Sequence, residues 1–517
     1  MQDIHILWVD DEIDLLKPHI IFLENKGYRV DTVNNGSDAL DMIEQQYYNI
    51  VFLDENMPGL TGIETLSKIK NIKPNIPVIM ITKIEEETIM EEAIGSQISD
   101  YLIKPVNPNQ ILLSLKKNLD ERRLVSEKTG YNYQQEFRKI GMELNDIGTH
   151  QDWVEMYKRL VYWELELEKM EDDSLAEVLR IQKDEANNLF SRFIVENYSN
   201  WMNSANNNSP VMSHHLIKEM VLDEIKNNKP LFFVVIDNLR YDQWKVIEPI
   251  LNQYFNIEWE EMFYSILPTA TQYARNALFA GLMPGELAKV YPEKWKNEND
   301  SGSKNLYEEF FLQENLRRLN KSLKLSYNKI VNYEDGKRLI DNVSNLMQNT
   351  LNVIVYNFVD MLSHAKTEME VIRELADDDK AYRSLTKTWF LNSPLLEVLK
   401  KISDKNGELI IATDHGTINV EEPIKIVGDR NTNTNLRYKT GKNLDYNSKE
   451  VFEVKNPNAI NLPKNSLSSS FIFAKSDRFF AYPNNYNHYV KYYKKTYQHG
   501  GISLEEMLIP IVKLSSK

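Results

Sequence analysis

The sequence predicts a multidomain α/β protein: a doubly wound α/β domain, then an α-helical bundle, then a larger α/β domain. Three observations predict it. Strand and helix patterns alternate over residues 1–120, strand patterns vanish over 121–205, and three apolar runs within 206–517 each end in aspartate. At 517 residues the chain exceeds a single hydrophobic core, and its 42% apolar residues can fill several.

In the first domain, Ile4–Val9, Arg29–Val33, Ile50–Leu53, Val78–Ile81 and Tyr101–Ile103 read as five strands separated by helical segments. Asp10 and Asp11 follow the first strand and Asp54 ends the third. Thr82 follows the fourth, and Lys104-Pro105 the fifth. Doubly wound sheets bind ligands at the carboxyl ends of their strands, so these groups share one pocket. Three carboxylates suit Mg²⁺, which prefers oxygen ligands. Asp54 is then placed to accept a phosphoryl group, with Lys104 neutralising the transferring oxygens and Thr82 hydrogen-bonding the product.

Over 121–205, Trp153, Met156, Tyr157, Leu160 and Val161 recur at helical spacing. So do Leu175, Val178, Leu179, Gln182, Ala186, Leu189, Phe190 and Phe193. Each stripe predicts a helix packed in a small bundle. The polar run 203–210, closed by Pro210, reads as a linker.

In the last domain the runs are Leu231–Asp237, Val353–Asp360 and Glu408–Asp414. Continuous apolar runs predict strands of a parallel sheet buried on both faces, with the aspartates converging at the strand ends. His364 and His415 lie beside two of them, and His499 precedes two glycines near the C-terminus. Aspartates and histidines without cysteine suit zinc, with Mn²⁺ second, and six ligands fit two ions rather than one. Pro268–Thr271 supplies a hydroxyl nucleophile, which needs a base or metal to activate it. Two ions fit the clamp of an in-line phosphoryl displacement.

Further candidates are weaker. Arg430, Arg437, Lys439 and Lys442 crowd one polar loop and are candidate phosphate contacts. Lys491–Tyr497 mixes bases with aromatics, reads as a strand with one exposed face, and offers rings that stack on nucleobases. His5, His19, His150, His214, His215 and His488 match no site, and His214-His215 is expected to face solvent beside the linker.

Composition narrows the classes. The net charge of −15 argues against duplex binding, which needs many Lys and Arg contacts to phosphate. The absence of cysteine excludes disulfides and thiolate chemistry. No apolar run approaches the ~20 residues of a membrane span, and Met1–Asp3 leads straight into a strand pattern rather than a secretory leader. A cytoplasmic protein is expected.

The pieces Ile6–Glu12, Asp54–Gly62, Thr82, Tyr101 and Lys104-Pro105 resemble a response-regulator receiver domain. The resemblance implies phosphorylation of Asp54 by a sensor histidine kinase, Mg²⁺ held by Asp10, Asp11, Asp54 and the backbone of Asn56, and a switch pair of Thr82 and Tyr101. One departure is Lys83, where the family usually has a small residue; it bears on phosphoryl entry and loss.

In the last domain, Val234–Asp242, Pro268–Thr271, Leu278–Pro284, Asp360–His364, Thr413–Gly416, Arg437–Leu444 and His499–Gly501 resemble the alkaline phosphatase superfamily, and within it the PglZ domain. That implies one zinc site of Asp237, Thr271, Asp414 and His415, a second of Asp360, His364 and His499, and Thr271 as the nucleophile. A threonine nucleophile in this superfamily leans towards phosphodiester substrates such as a nucleotide or short oligonucleotide. The three-part order resembles the PorX-type regulators of Bacteroidota, associated with type IX secretion. It implies a phosphorylated receiver that dimerises and controls a phosphodiesterase. The alternative is a signalling adaptor with structural zinc that binds a sigma factor or a membrane secretion component.

Overall fold

The structure is a computed structural model. It describes residues 4–74, 76–83, 98–170, 173–203, 209–226, 229–298, 300–429, 432–464 and 468–517. Most of the expected linker, and Arg430, lie outside the described residues.

The chain forms two compact units, Met1–Gln134 and Gln135–Lys517. The first is built on five parallel strands, β1 (His5–Val9), β2 (Arg29–Val33), β3 (Ile50–Asp54), β4 (Val78–Thr82) and β5 (Asp100–Ile103), in the order β2-β1-β3-β4-β5. Each lies within a residue of its expected span. Successive strand residues point to opposite faces. Leu7, Val9 and Leu53 therefore join one buried cluster, and Ile6, Trp8 and Phe52 the other. One continuous helix, Pro108–Leu144, leaves this sheet and runs past the unit boundary.

The second unit opens with the bundle. Helix His150–Glu168 starts at Thr149, whose hydroxyl accepts from the Asp152 N–H while Asp152 returns the bond to Thr149 N–H, closing both ends of a capping box. Its stripe Trp153, Met156, Tyr157, Leu160 and Val161 is buried. Helix Asp173–Asn203 departs from its expected stripe. Val178 is exposed, and the buried seam runs through Leu179, Gln182, Ala186, Asn187, Phe190, Ser191, Ile194 and Tyr198. The bundle packs directly on the large sheet: Tyr264 Oη donates to the His150 carbonyl at 2.8 Å, and Tyr198 Oη accepts from Leu267 N–H at 2.7 Å.

That sheet holds β6 (Leu231–Ile236), β7 (Phe255–Tyr264), β8 (Leu325–Ile330), β9 (Leu351–Tyr356), β10 (Glu408–Ala412) and a terminal strand, Leu508–Ser516. From β7 the order is terminal strand, β10, β6, β9, β8. The run β10-β6-β9-β8 is parallel as expected, but the terminal strand is antiparallel to both its neighbours, β10 and β7. The short helix Leu504–Met507 delivers the chain at the carboxyl end of β10, so the terminal strand runs back along it. A further difference concerns Asp360. Its strand stops at Tyr356, and Asp360 lies in the first turn of helix Phe358–Glu368, where a carboxylate is favoured by the helix dipole. Lys491–Tyr497 also departs from the expected strand: Lys491–Tyr493 closes the helix Tyr486–Tyr493, and only Tyr497 enters a strand, Tyr497–Gln498. The helix packs Tyr486, Val490 and Tyr493 on Ile418, Val420 and Phe479.

Candidate functional site

At the carboxyl ends of the parallel strands two ligand sets come together. Asp237, Asp414 and His415 form one trio, and Asp360, His364 and His499 the other; within each, one ligand atom per residue lies within 4.8 Å of the rest. The trios adjoin, with the rings of His415 and His499 stacked at 4.3 Å between centroids. The first trio is fully buried, whereas the His364 side chain is 62% exposed.

Thr271 is the first residue of helix Thr271–Ala280, which follows directly from Pro268–Ala270. Its Oγ1 lies 3.0 Å from His415 Nε2 and 3.4 Å from Asp237 Oδ1. Nδ1 of His415 faces the Gly416 carbonyl at 3.1 Å. Donating there, the ring leaves Nε2 as a lone pair directed at the Thr271 hydroxyl. Thr269 is engaged elsewhere. It is buried, its hydroxyl donates to the Gly501 carbonyl at 2.9 Å, and it accepts from Gly500 N–H at 3.0 Å.

Sequence reasoning gave three site residues no role: it passed over Arg275 and took Asn238 and Gly416 only as parts of Val234–Asp242 and Thr413–Gly416. Arg275, one helical turn beyond Thr271, is buried against the first trio. Its Nη1 is 2.5 Å from Asp237 Oδ2 and 3.7 Å from Asp414 Oδ2, and its Nε is 2.6 Å from Glu308 Oε1. Asn238, at φ 66°, sets its N–H 3.3 Å from Asp414 Oδ1 and its Nδ2 3.3 Å from Asp360 Oδ1, linking the trios. Gly416 makes the third contact. A Cβ there would fall 1.9 Å from the Glu505 carbonyl oxygen, so only glycine allows the His415 turn to lie against that segment.

Electrostatics follow burial. Burial pushes the Asp237 and Asp414 carboxyls up, with Arg275 opposing it in both. Burial also holds His415 and His499 low, His499 at about 3. Asp360 is half-buried, and the His364 hydrogen bond and the neighbouring histidines outweigh its desolvation and keep its carboxyl low. Asp237, Asp414 and Glu308 are buried around the Arg275 guanidinium, with Lys329 also on Glu308, and Asp414 Oδ2 is buried with no hydrogen-bond partner. Buried acceptors without donors fit a cation.

The proposed phosphate-binding residues separate. Arg437 is fully buried, with Nη2 2.6 Å from Glu506 Oε2, Nε 3.1 Å from Oε1 and Nη1 on the Arg478 carbonyl. With its donors turned to those partners it forms a structural ion pair rather than a free phosphate clamp. Lys439 is buried too, donating to the Asn433 carbonyl at 2.9 Å, and burial lowers it to about 7. Lys442 alone is exposed. His214 and His215 are half-buried instead of solvent-facing, because their short helical turn docks beside buried Ser213 and Leu216.

In the first unit, Asp10, Asp11 and Asp54 offer ligand atoms within 4.8 Å of one another. Lys104 Nζ lies 2.7 Å from Asp10 Oδ2 and 2.8 Å from Asp54 Oδ1. The Asn56 N–H donates to Asp54 Oδ2 at 3.2 Å, and burial raises the Asp54 carboxyl. Thr82 is buried at the end of β4, whereas Tyr101 is 42% exposed. Lys83 extends to Glu12, forming a half-exposed ion pair at 2.9 Å.

Three family profiles match in chain order. They are the response regulator receiver domain over 6–116, the PorX response regulator linker domain over 123–202, and the BREX system PglZ alkaline phosphatase-like domain over 216–514. The chain belongs to the PglZ family, in the PorX-type response-regulator arrangement. Similar curated proteins align over the receiver. Transcriptional regulatory protein ZraR of Klebsiella oxytoca is 37% identical over 123 residues, which is 24% of this chain and 28% of that protein. The CpxR homolog of Haemophilus influenzae is 37% identical over 113 residues, 22% of this chain and 48% of that protein. The matched region thus spans less than half of either relative. A solved CheY-like receiver domain from Methanospirillum hungatei is 30% identical and covers 23% of this chain and 96% of its own, with a TM-score of 0.23. The chain thus combines a response-regulator receiver domain with a PglZ domain of the alkaline phosphatase-like, phosphoesterase-type class. Among the described residues no helix is long and apolar enough to cross a membrane.

Proposed function

We propose that the PglZ domain is a zinc-dependent phosphodiesterase acting on nucleotide or oligonucleotide diesters, with Thr271 as nucleophile. The observation that carries this is the Thr271 hydroxyl set 3.0 Å from His415 Nε2 and 3.4 Å from Asp237 Oδ1, beside two ligand trios. Asp237, Thr271, Asp414 and His415 would hold one zinc ion, and Asp360, His364 and His499 the other. Bound there, the two ions supply positive charge to the attacking and departing oxygens of an in-line displacement.

The chain's own residues do the rest. Thr271 stands at the positive end of its helix, where charge developing on its oxygen is favoured. It attacks phosphorus, the ester alcohol departs, and water then cleaves the threonine ester. The Gly416 carbonyl fixes the His415 tautomer so that Nε2 faces the Thr271 oxygen, where it would serve as ligand to the ion that holds this oxygen in line. Asn238 keeps the Asp414 and Asp360 carboxylates in register across the site. The expected result is hydrolysis of a chromogenic phosphodiester in preference to the matching monoester, lost on chelation and restored by zinc. Preference for the monoester would make the domain a phosphatase instead.

The receiver supplies control in this reading. Asp54 accepts the phosphoryl group, Mg²⁺ binds through Asp10, Asp11, Asp54 and the Asn56 backbone, and Thr82 and Tyr101 relay the change to a dimer interface in the cytoplasm. Beryllofluoride with Mg²⁺ should raise the melting temperature of the wild-type receiver and increase the sedimenting mass of the chain, and do neither in Asp54→Ala. Identical responses in both proteins would remove Asp54 as the acceptor. The link to type IX secretion, through a sigma factor or a membrane component, belongs to the same proposal.

A further inference from the structure

Helix Asp173–Asn203 buries polar side chains in the seam where apolar ones pack: Gln182, Asn187 and Ser191 are each no more than 3% exposed. Buried amides and hydroxyls are costly unless paired, so their partners say what they serve. Gln182 donates to the Phe137 carbonyl at 3.0 Å, inside the bundle. Asn187 and Ser191 reach into the PglZ domain. Asn187 Oδ1 accepts from Leu504 N–H at 2.8 Å, and its Nδ2 donates to Glu505 Oε2 at 3.0 Å. Ser191 Oγ accepts from Ser476 N–H at 3.2 Å and faces the Ile502 carbonyl at 3.4 Å.

Ile502, Leu504 and Glu505 follow closely on His499 of one ligand trio. The same segment is the surface on which the other trio's turn rests. Gly416 N–H donates to the Glu506 carbonyl at 3.2 Å, and the Glu505 carbonyl occupies the space a Gly416 side chain would need. A second arm leaves the bundle through Arg383. Its Nη1 lies 3.0 Å from Glu164 and 2.6 Å from Asp242, and its Nη2 contacts Glu168. Asp242 in turn accepts from Arg240 Nε at 2.8 Å, on the segment that carries Asp237 and Asn238. The bundle thus holds the segment after His499 directly, and reaches the Gly416 turn through Glu505 and Glu506 and the Asp237 segment through Arg383 and Asp242.

We propose that Asn187 is a positioning residue for the two ligand trios. By fixing Leu504 and Glu505 it sets both the His499 segment and the Gly416 turn, so the seat of the bundle helix determines how the ligands converge. The inference rests on reading the trios as the hydrolytic metal site, and it gives the bundle a direct route to that site.

The test uses the full chain and reads zinc affinity by competition with a chromophoric chelator, beside diester turnover and circular dichroism. Asn187→Leu keeps the volume and removes the paired bonds. It should weaken zinc binding about tenfold or more, the usual effect of losing an outer-shell partner, with the helical signal unchanged. Asn187→Asp sets a carboxylate against Glu505 and should weaken zinc binding similarly. Adding Glu505→Gln restores a donor opposite it, still leaves an acceptor for Leu504 N–H, and should recover most of the loss. General packing damage would not be rescued in that way. Zinc affinity in Asn187→Leu equal to wild type, or a double variant no better than Asn187→Asp, would overturn the proposal. If Asn187→Leu does not fold, the comparison of single and double variants decides. Weakened zinc binding in a chain whose wild type turns over no diester would leave the positioning role standing and remove the phosphodiesterase reading.

Discussion

Thr271→Val should reduce phosphodiester turnover by at least about a thousandfold, equivalent to ~4 kcal/mol of transition-state stabilisation, while the protein folds and melts as wild type. Valine reproduces the branched shape of threonine and suits the same helical position, so only the hydroxyl is lost. In the wild type that hydroxyl sits between His415 Nε2 and Asp237 Oδ1. Thr269, the other hydroxyl of that segment, is buried and bonded to the Gly500 and Gly501 backbone. The measurement is kcat on a chromogenic diester with zinc content determined on the same samples. Turnover retained in Thr271→Val would transfer the attack to water activated elsewhere. Absence of turnover in both proteins, with zinc bound, would shift the assignment to a signalling adaptor with structural zinc.

The second large effect is on stability. Arg275→Met should destabilise the metal-free chain by about 4 kcal/mol, because removing one partner of a buried ion pair leaves the other charge uncompensated. Spread over an unfolding entropy of ~2 cal/mol/K per residue in a unit of this size, that lowers the melting temperature by roughly 5 °C. Asp237 loses a guanidinium at 2.5 Å and Asp414 one at 3.7 Å, while Glu308 keeps Lys329 at 2.8 Å. Zinc should narrow the gap between variant and wild type, since a cation at the first trio replaces the missing charge. Calorimetry with and without zinc checks both points. A variant that melts with the wild type would show that Asp237 and Asp414 are already protonated in the metal-free chain.

Much of this architecture was legible in the sequence because it depends on short-range pattern. Five receiver strands and the parallel strands β6, β9 and β10 announce themselves as apolar runs, and the carboxylates at or just past their ends follow from that. What escaped depends on distant pairing. Arg275 looks like any helical arginine until Asp237 and Glu308 are brought to it by the fold. Asn187 and Ser191 look like polar interruptions in an apolar stripe, and their meaning lies in Leu504, Glu505 and Ser476. Arg437 misled in the opposite direction: in sequence it belongs to a basic loop, and in space it is neutralised by Glu506. Lys491–Tyr497 was read as a strand because tyrosines favour strands, although Tyr486, Val490 and Tyr493 carry the helical spacing that draws Lys491–Tyr493 into a helix.

The compact units meet inside the helix Pro108–Leu144, at Gln134/Gln135, and not at the polar stretch before Pro210. Anyone recombining sensory and output modules from such regulators inherits a constraint from this. A chimaera joined at residue 210 would import a foreign bundle and strand the Leu504 and Ser476 amides, together with the Glu505 carboxylate, without their native mates. A chimaera joined within the long helix would exchange the input while keeping the output's own buttress.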